Sequence, residues 1–277
     1  MAITAILGAV IKPYLKETIV MGIFGKIFEK KYCSICQGEI GLLGNRKLED
    51  GNLCKNCAAK LSPWFSDRRS STVAQIQEQL DYREANKAEV AAFHTTRSFG
   101  SGTKVLMDED AKKFMVTSAR NLVEANPDVM DFSQVTGCDL DISEHRSEAK
   151  HKDNEGNSVS YNPPRYTFSY DFNMIIRVNN PYFDTIKFRL NSSSVCLNAN
   201  DPVTAMNAPN PEYNRDYQEF KHMGDEIKEI LMRARQQVRD DAKAAAAPKQ
   251  AVTCPCCGAT TFPDVHGRCE FCGGSVN

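Results

Sequence analysis

The sequence predicts a multidomain α+β chain in which two small cysteine-stapled modules flank an antiparallel β domain that ends in a long helix. Three observations carry this reading. Nine of the eleven cysteines of the 277 residues collect at the ends, with Cys33, Cys36, Cys54 and Cys57 in front and Cys254, Cys256, Cys257, Cys269 and Cys272 behind. The middle alternates apolar and polar residues with the period of a strand. Residues 213–238 then place apolar residues at alternating steps of four and three. The charge is almost balanced, 34 Lys and Arg against 35 Asp and Glu for a net −1. That balance argues against a globally basic nucleic-acid binder or a polybasic membrane surface, both of which need a positive excess. With 42% hydrophobic residues the chain can bury a core of its own, so the cysteines are not there to rescue a chain too small to fold.

Residues 1–31 read as an N-terminal extension with a short amphipathic helix. The apolar run 2–11 is too short for a bilayer, which needs about 20 such residues, and Lys12-Pro13 ends it. Translation could start at Met1 or at Met21; Lys16-Glu17 can be encoded by a ribosome-binding sequence at a suitable distance before Met21. Beyond it, Ile23, Phe24, Ile27 and Phe28 fall on one helix face, expected to dock on the chain's own domain, because two turns bury little apolar area. No integral membrane segment is expected. The order of a secretory leader is missing too, so a cytoplasmic, reducing setting is expected.

Residues 32–66 form the first four-cysteine module, and 248–277 the second. Each holds two C-x-x-C pairs: Cys33/Cys36 with Cys54/Cys57, and Cys254/Cys257 with Cys269/Cys272. Such a pair turns two sulfurs toward one ion, and a second pair completes a tetrahedral Zn²⁺ shell with Zn–S near about 2.3 Å. Disulfides would need an oxidising compartment, and a redox C-x-x-C would stand alone rather than in matched sets. Two structural Zn²⁺ ions are therefore expected. Cys256 reads as a spare surface thiol, and His266 as a residue that could replace a ligand although four cysteines suffice. Gly38, Gly258 and Gly273 follow three of the pairs, where a turn with positive φ is expected.

Residues 67–94 read as a helical connector. Thr72 with Gln75 makes a capping box, and Val73, Ile76 and Leu80 continue at helical spacing. Arg83 and Lys87 break the apolar stripe, so the helix is expected to be half exposed. In residues 95–247, every even position of 166–178 is apolar, and Ile186, Phe188 and Leu190 repeat the pattern after a turn at Asn179-Asn180-Pro181. Strands at 104–107 and 113–117 flank the acidic turn Asp108-Glu109-Asp110. Cys138, Leu140 and Ile142 alternate with Asp139 and Asp141, which makes Cys138 a core residue. The polar stretch 145–164 reads as a loop. Asn210 then caps a long helix with Pro211 in its first turn. Its seam, Tyr213, Tyr217, Phe220, Gly224, Ile227, Leu231, Ala234 and Val238, would pack on the β domain and could pair with a second copy through residues 211–240.

Six or seven strands followed by one amphipathic helix resemble a pleckstrin-homology-like antiparallel β-barrel, and residues 131–135 (Asp-Phe-Ser-Gln-Val) are similar to bacterial members of that superfold. The resemblance implies a fold and no function; the acidic turn at 108–110 stands where lipid-binding members are basic. Tyr32-Cys33-Ser34-Ile35-Cys36, the run from Gly41 to Gly51, Cys54 to Cys57, and Lys60-Leu61-Ser62-Pro63-Trp64-Phe65 resemble domain of unknown function 4428, a bacterial zinc-ribbon-like family. That resemblance implies zinc binding in a cytoplasmic setting and no activity. The last module is similar to the generic zinc ribbon appended to many prokaryotic proteins.

No catalytic residues are singled out. A catalytic zinc keeps an open position, whereas both cysteine sets are full, and no nucleophile elbow, phosphate loop or dinucleotide fingerprint is present. The reading is a non-catalytic zinc-binding adaptor or scaffold that meets a protein partner. The alternative is nucleic-acid binding by the mildly basic front section, with Tyr32, Trp64 and Phe65 as stacking candidates and Arg68 and Arg69 as phosphate contacts.

Overall fold

The computed structural model describes residues 30–246, 251–264 and 266–276. The alternative start at Met21, the amphipathic turns at 23–28 and the boundary at 247–248 lie outside the described residues.

The front module pairs β1 (Lys31–Tyr32) with β2 (Glu39–Ile40) and β3 (Arg46–Lys47) with β4 (Asn52–Leu53), then closes on a one-turn helix, α1 (Lys55–Ala58). Its small core holds Cys33, Ile40, Leu48, Leu53, Cys57 and Leu61, and Ile76 from the next helix completes it. That helix, α2 (Val73–Ala92), starts on the expected capping box: Gln75 N–H donates to Thr72 Oγ1, and Gln75 Oε1 accepts from Thr72 N–H at 2.8 Å. Its buried residues are Ile76, Gln79, Arg83, Asn86 and Val90, one face stepping by threes and fours. Arg83 therefore does not interrupt a buried stripe at solvent, as expected from its charge. It is part of the stripe.

Two four-stranded antiparallel sheets follow. The first is a meander of β5 (Arg97–Phe99), β6 (Lys104–Asp108), β7 (Lys113–Thr117) and β8 (Val129–Asp131), with a one-turn helix, α3 (Leu122–Ala125), between β7 and β8. In the second, β10 (Ser158–Val178) pairs with β9 (Val135–Lys152) along one edge and with β11 (Thr185–Arg189) and β12 (Val195–Cys196) along the other. The even residues from Phe168 to Val178 are all buried, as their alternation predicts, and Cys138 joins them in the core. Val105, Met107 and Phe114 from the first sheet meet Phe172, Met174 and Ile176 from the second.

The expected closed barrel is not formed. Among the described residues the two sheets share no ladder: after β8 the chain makes a 3₁₀ turn at Phe132–Gln134 and enters the second sheet as β9. Most of the stretch 145–164 is not loop either. Apart from a turn at 153–157 it is strand in β9 and β10, with Arg146 opposite Phe168 and Lys152 opposite Ser158, and a register shift between Ser160 and Arg165. Both faces of this ribbon are largely exposed. Backbone pairing and contacts such as Arg146 over the Tyr166 ring at 4.7 Å hold it, and these leave no apolar alternation to read.

The long helix, α4 (Arg215–Ala246), begins later than its sequence suggests. Asn210 caps only a 3₁₀ turn, Pro211–Tyr213, and Tyr213 is exposed. Asn214 Oδ1 accepts the Tyr217 N–H at 2.9 Å and starts the helix proper. Tyr217, Ile227 and Leu231 are core residues, with Phe220 and Ala234 packed against it. The chain's own sheets thus occupy the seam that a second copy would need. Gly224 allows the approach: a Cβ there would lie 2.7 Å from Leu140 Cδ1 of β9. The last module pairs β13 (Val252–Thr253) with β14 (Thr260–Thr261). Among the described residues no helix is long and apolar enough to cross a membrane.

Candidate metal centres

Two sets of four thiols converge, Cys33, Cys36, Cys54 and Cys57 in front and Cys254, Cys257, Cys269 and Cys272 behind, with the sulfurs of each set within 4.8 Å of one another. Cys36 Sγ and Cys54 Sγ are 3.7 Å apart, Cys254 and Cys272 3.6 Å, and Cys257 and Cys269 3.7 Å. A tetrahedron with Zn–S of about 2.3 Å has an edge of about 3.8 Å. The spacing therefore fits Zn²⁺, whereas a disulfide holds its sulfurs at about 2.05 Å. Neither Cys256 nor His266 belongs to the converging set.

Backbone turns aim the sulfurs. In the first pair, Gln37 N–H donates to the Cys33 carbonyl at 2.9 Å, and Gln37 takes the left-handed conformation with φ 59°. The sequence suggests that Gly38 would supply the positive φ; the turn places it one residue earlier, directly after the second cysteine. Gly258 and Gly273, also directly after a cysteine, have φ of 71° and 68° as expected. The Cys54/Cys57 pair is built differently. Cys54 caps α1, its sulfur accepting the Cys57 N–H at 3.3 Å. Cys54 N–H donates in turn to Cys33 Sγ at 3.3 Å.

The electrostatics ask for a cation. Burial works to raise the Cys33 thiol, yet N–H groups of Cys36, Cys54 and Ile35 outweigh it and bring the pKa down to about 6. Burial and the neighbouring sulfurs push Cys57 upward. The rear cluster repeats the split: backbone N–H groups overcome burial to hold Cys269 at about 6, while Cys272 is pushed up to about 12 by its thiol neighbours against the pull of the Gly274 N–H. Four thiolates cannot share such a site unaided, and a dication removes the repulsion.

The front cluster is wired into the rest of the chain. Just after α1, the Lys60 carbonyl accepts from Arg83 Nε at 3.2 Å, and Ser62 Oγ donates to Asp128 Oδ2 at 2.8 Å. Arg83 Nη1 meets Asp128 Oδ1 at 2.8 Å, and its Nη2 donates to the Asn126 carbonyl. Asn86 Nδ2 donates to Asn126 Oδ1 and to the Pro127 carbonyl, both at 2.8 Å. Sequence reasoning missed this network entirely. Its only local signal is a charge and two amides at helical spacing on one face of α2.

Two of the stacking candidates face inward. Trp64 packs against the main core and Phe65 against the module's own; Tyr32 is exposed. Arg68 Nη1 is engaged by the Lys47 carbonyl at 2.8 Å. Asp139 meets Arg177 at 2.6 Å and Lys228 at 3.5 Å, and Asp241 meets Lys112 at 3.3 Å.

Comparison with known families gives a match over residues 31–79 to a domain of unknown function, DUF4428. The matched segment contains the front cluster and the start of α2. No curated protein and no solved structure matches the chain.

Proposed function

We propose that this chain is a non-catalytic zinc-binding adaptor or scaffold, with one structural Zn²⁺ in each four-cysteine cluster and a protein as its partner. The observation that carries the reading is the full thiol set of each cluster. Four sulfurs at tetrahedral spacing leave no position for water or substrate, which suits a staple and not a Lewis acid. The front staple also holds Lys60 and Ser62 against Arg83 and Asp128, so the ion would organise the contact between module and sheets. The two sheets with α4 across them are read as a pleckstrin-homology-like platform, and the setting as cytoplasmic, where thiolates stay reduced.

Metal analysis of the purified full-length chain tests the staples, with about two zinc ions per chain expected; one or none would overturn the two-site reading. Capture from native cells, with bound proteins and bound nucleic acid both identified, tests the partner. A specific protein lost on Cys36→Ser supports an adaptor. Nucleic acid alone would replace it.

A further inference from the structure

We propose that the tip of the front module is a contact site for an anionic membrane surface, with Leu42 and Leu43 entering the interface and Arg46, Lys47, Arg68 and Arg69 holding the lipid headgroups. The tip is the turn Gly41-Leu42-Leu43-Gly44, closed by Gly44 N–H on the Gly41 carbonyl at 2.9 Å. Leu42 is 77% and Leu43 94% exposed, while Leu48, Leu53 and Leu61 of the same module are buried. A module this small has few leucines to spare from its core, and two adjacent ones stand outside it.

Two of the basic residues are held beside this tip by backbone carbonyls. Arg46 Nη1 donates to the carbonyls of Leu43 at 3.3 Å and Asn45 at 3.4 Å, and Arg68 Nη1 to that of Lys47 at 2.8 Å. Burial and the nearby charges of Arg46 and Arg69 pull the Arg68 pKa below its ordinary value, the mark of like charges gathered together. Among the described residues none of the four has a carboxylate at ion-pair distance. Of the acidic neighbours, Asp50 accepts the Val73 N–H at 2.7 Å and Asp67 accepts from Ser66 Oγ; Glu49 is exposed.

An apolar point backed by unneutralised guanidinium groups suits the boundary of an anionic bilayer, where acyl chains take the leucines and phosphates take the cations. A nucleic acid would use the cations, but Trp64 and Phe65, which could stack on bases, are packed inward. The proposal is peripheral contact and does not depend on the protein partner proposed above.

The test is co-sedimentation of the zinc-loaded full chain with vesicles of phosphatidylcholine containing about 30% phosphatidylglycerol, at about 0.1 M salt. Pure phosphatidylcholine vesicles and oligonucleotides serve as comparison arms. Binding to the anionic vesicles is expected. Each basic residue at such a surface is worth about fivefold in partitioning, so Arg68→Glu with Arg69→Glu should weaken it more than about tenfold. Leu42→Ser with Leu43→Ser, at positions too exposed to unfold the module, should do the same with zinc content unchanged. Emission from Leu43→Trp should shift to the blue with anionic vesicles. No binding to the anionic vesicles overturns the proposal. So does binding that survives the leucine changes, and so does oligonucleotide binding that needs the arginines but ignores the leucines, which would make the patch a nucleic-acid site.

Discussion

Arg83 and Asp128 form an ion pair at 2.8 Å with side chains 7% and 0% exposed, bridging α2 and the segment that enters β8. Ser62, Lys60 and Asn126 make further hydrogen bonds to it. A buried pair of this kind contributes little against an apolar replacement of both partners, but losing one partner strands a charge. Arg83→Met should therefore cost about 3–5 kcal/mol at neutral pH, and adding Asp128→Asn should recover part of it, as a double-mutant cycle by denaturant unfolding would measure. Burial pushes the Asp128 carboxyl up, with Arg83 and Ser62 pulling against it. Without Arg83 the folded-state pKa stands further above the unfolded value, so the folded state takes up the proton first. The deficit of Arg83→Met relative to the wild type should shrink as pH falls toward that raised value.

Metal removal should act unequally on the two ends. Cys36→Ser should remove about one zinc ion per chain and also lower the unfolding temperature of the sheet domain, because the segment after α1 carries Lys60 and Ser62 into the Arg83 network. Cys272→Ser should remove the other ion; among the described residues the hydrogen bonds of 251–276 stay within that module, so the sheet domain should melt unchanged. Equal effects in calorimetry would show that the front network does not couple module to sheet.

Gly224 faces Leu140 with no room for a larger side chain, a Cβ meeting Leu140 Cδ1 at 2.7 Å and Cδ2 at 2.8 Å. Gly224→Val should cost about 1–3 kcal/mol by overpacking, even though most residues favour a helix more than glycine does. Leu140→Ala in the same chain should return much of that loss, since the two side chains compete for one space. Additive losses in urea unfolding would contradict it.

Asp108 makes an acid-sensitive turn. Burial works to raise its carboxyl, but N–H groups of Ala111 and His94 outweigh it and hold the pKa below the usual carboxylate range. Its contribution is fully present above the unfolded value near about 4 and is lost as pH falls through the depressed folded value. Asp108→Ala should cost about 1–3 kcal/mol at neutral pH by removing the carboxylate that accepts from the His94 and Ala111 N–H groups. Its stability should also fall less steeply than the wild type's as pH falls below about 4.

Much of the framework was legible from local pattern. The C-x-x-C spacings name both thiol sets, because a pair three apart can reach one ion whatever surrounds it. The alternation of 166–178, the capping box at Thr72 and Gln75 and the core position of Cys138 are equally local, each set by a residue's immediate neighbours and by which face is buried. Where a local rule had two equivalent outlets, the sequence chose the wrong one: Asn210 and Asn214 can both cap, and the 3₁₀ turn between them takes the first.

What the sequence by itself determined is the chemistry at the two ends and the strands of the middle, because ligand spacing and period-two alternation are short-range properties. Only the tertiary structure decided the rest. Whether the charge of Arg83 lies in water or in a core depends on Asp128 arriving from 45 residues away. Whether Gly224 weakens a helix or lets it dock depends on Leu140. The two sheets stay open because the chain turns between them after β8, and the polar 145–164 ribbon exists because its strands satisfy each other's backbone. In each case the deciding energy belongs to a pair of groups distant in sequence, and no single stretch of residues contains it.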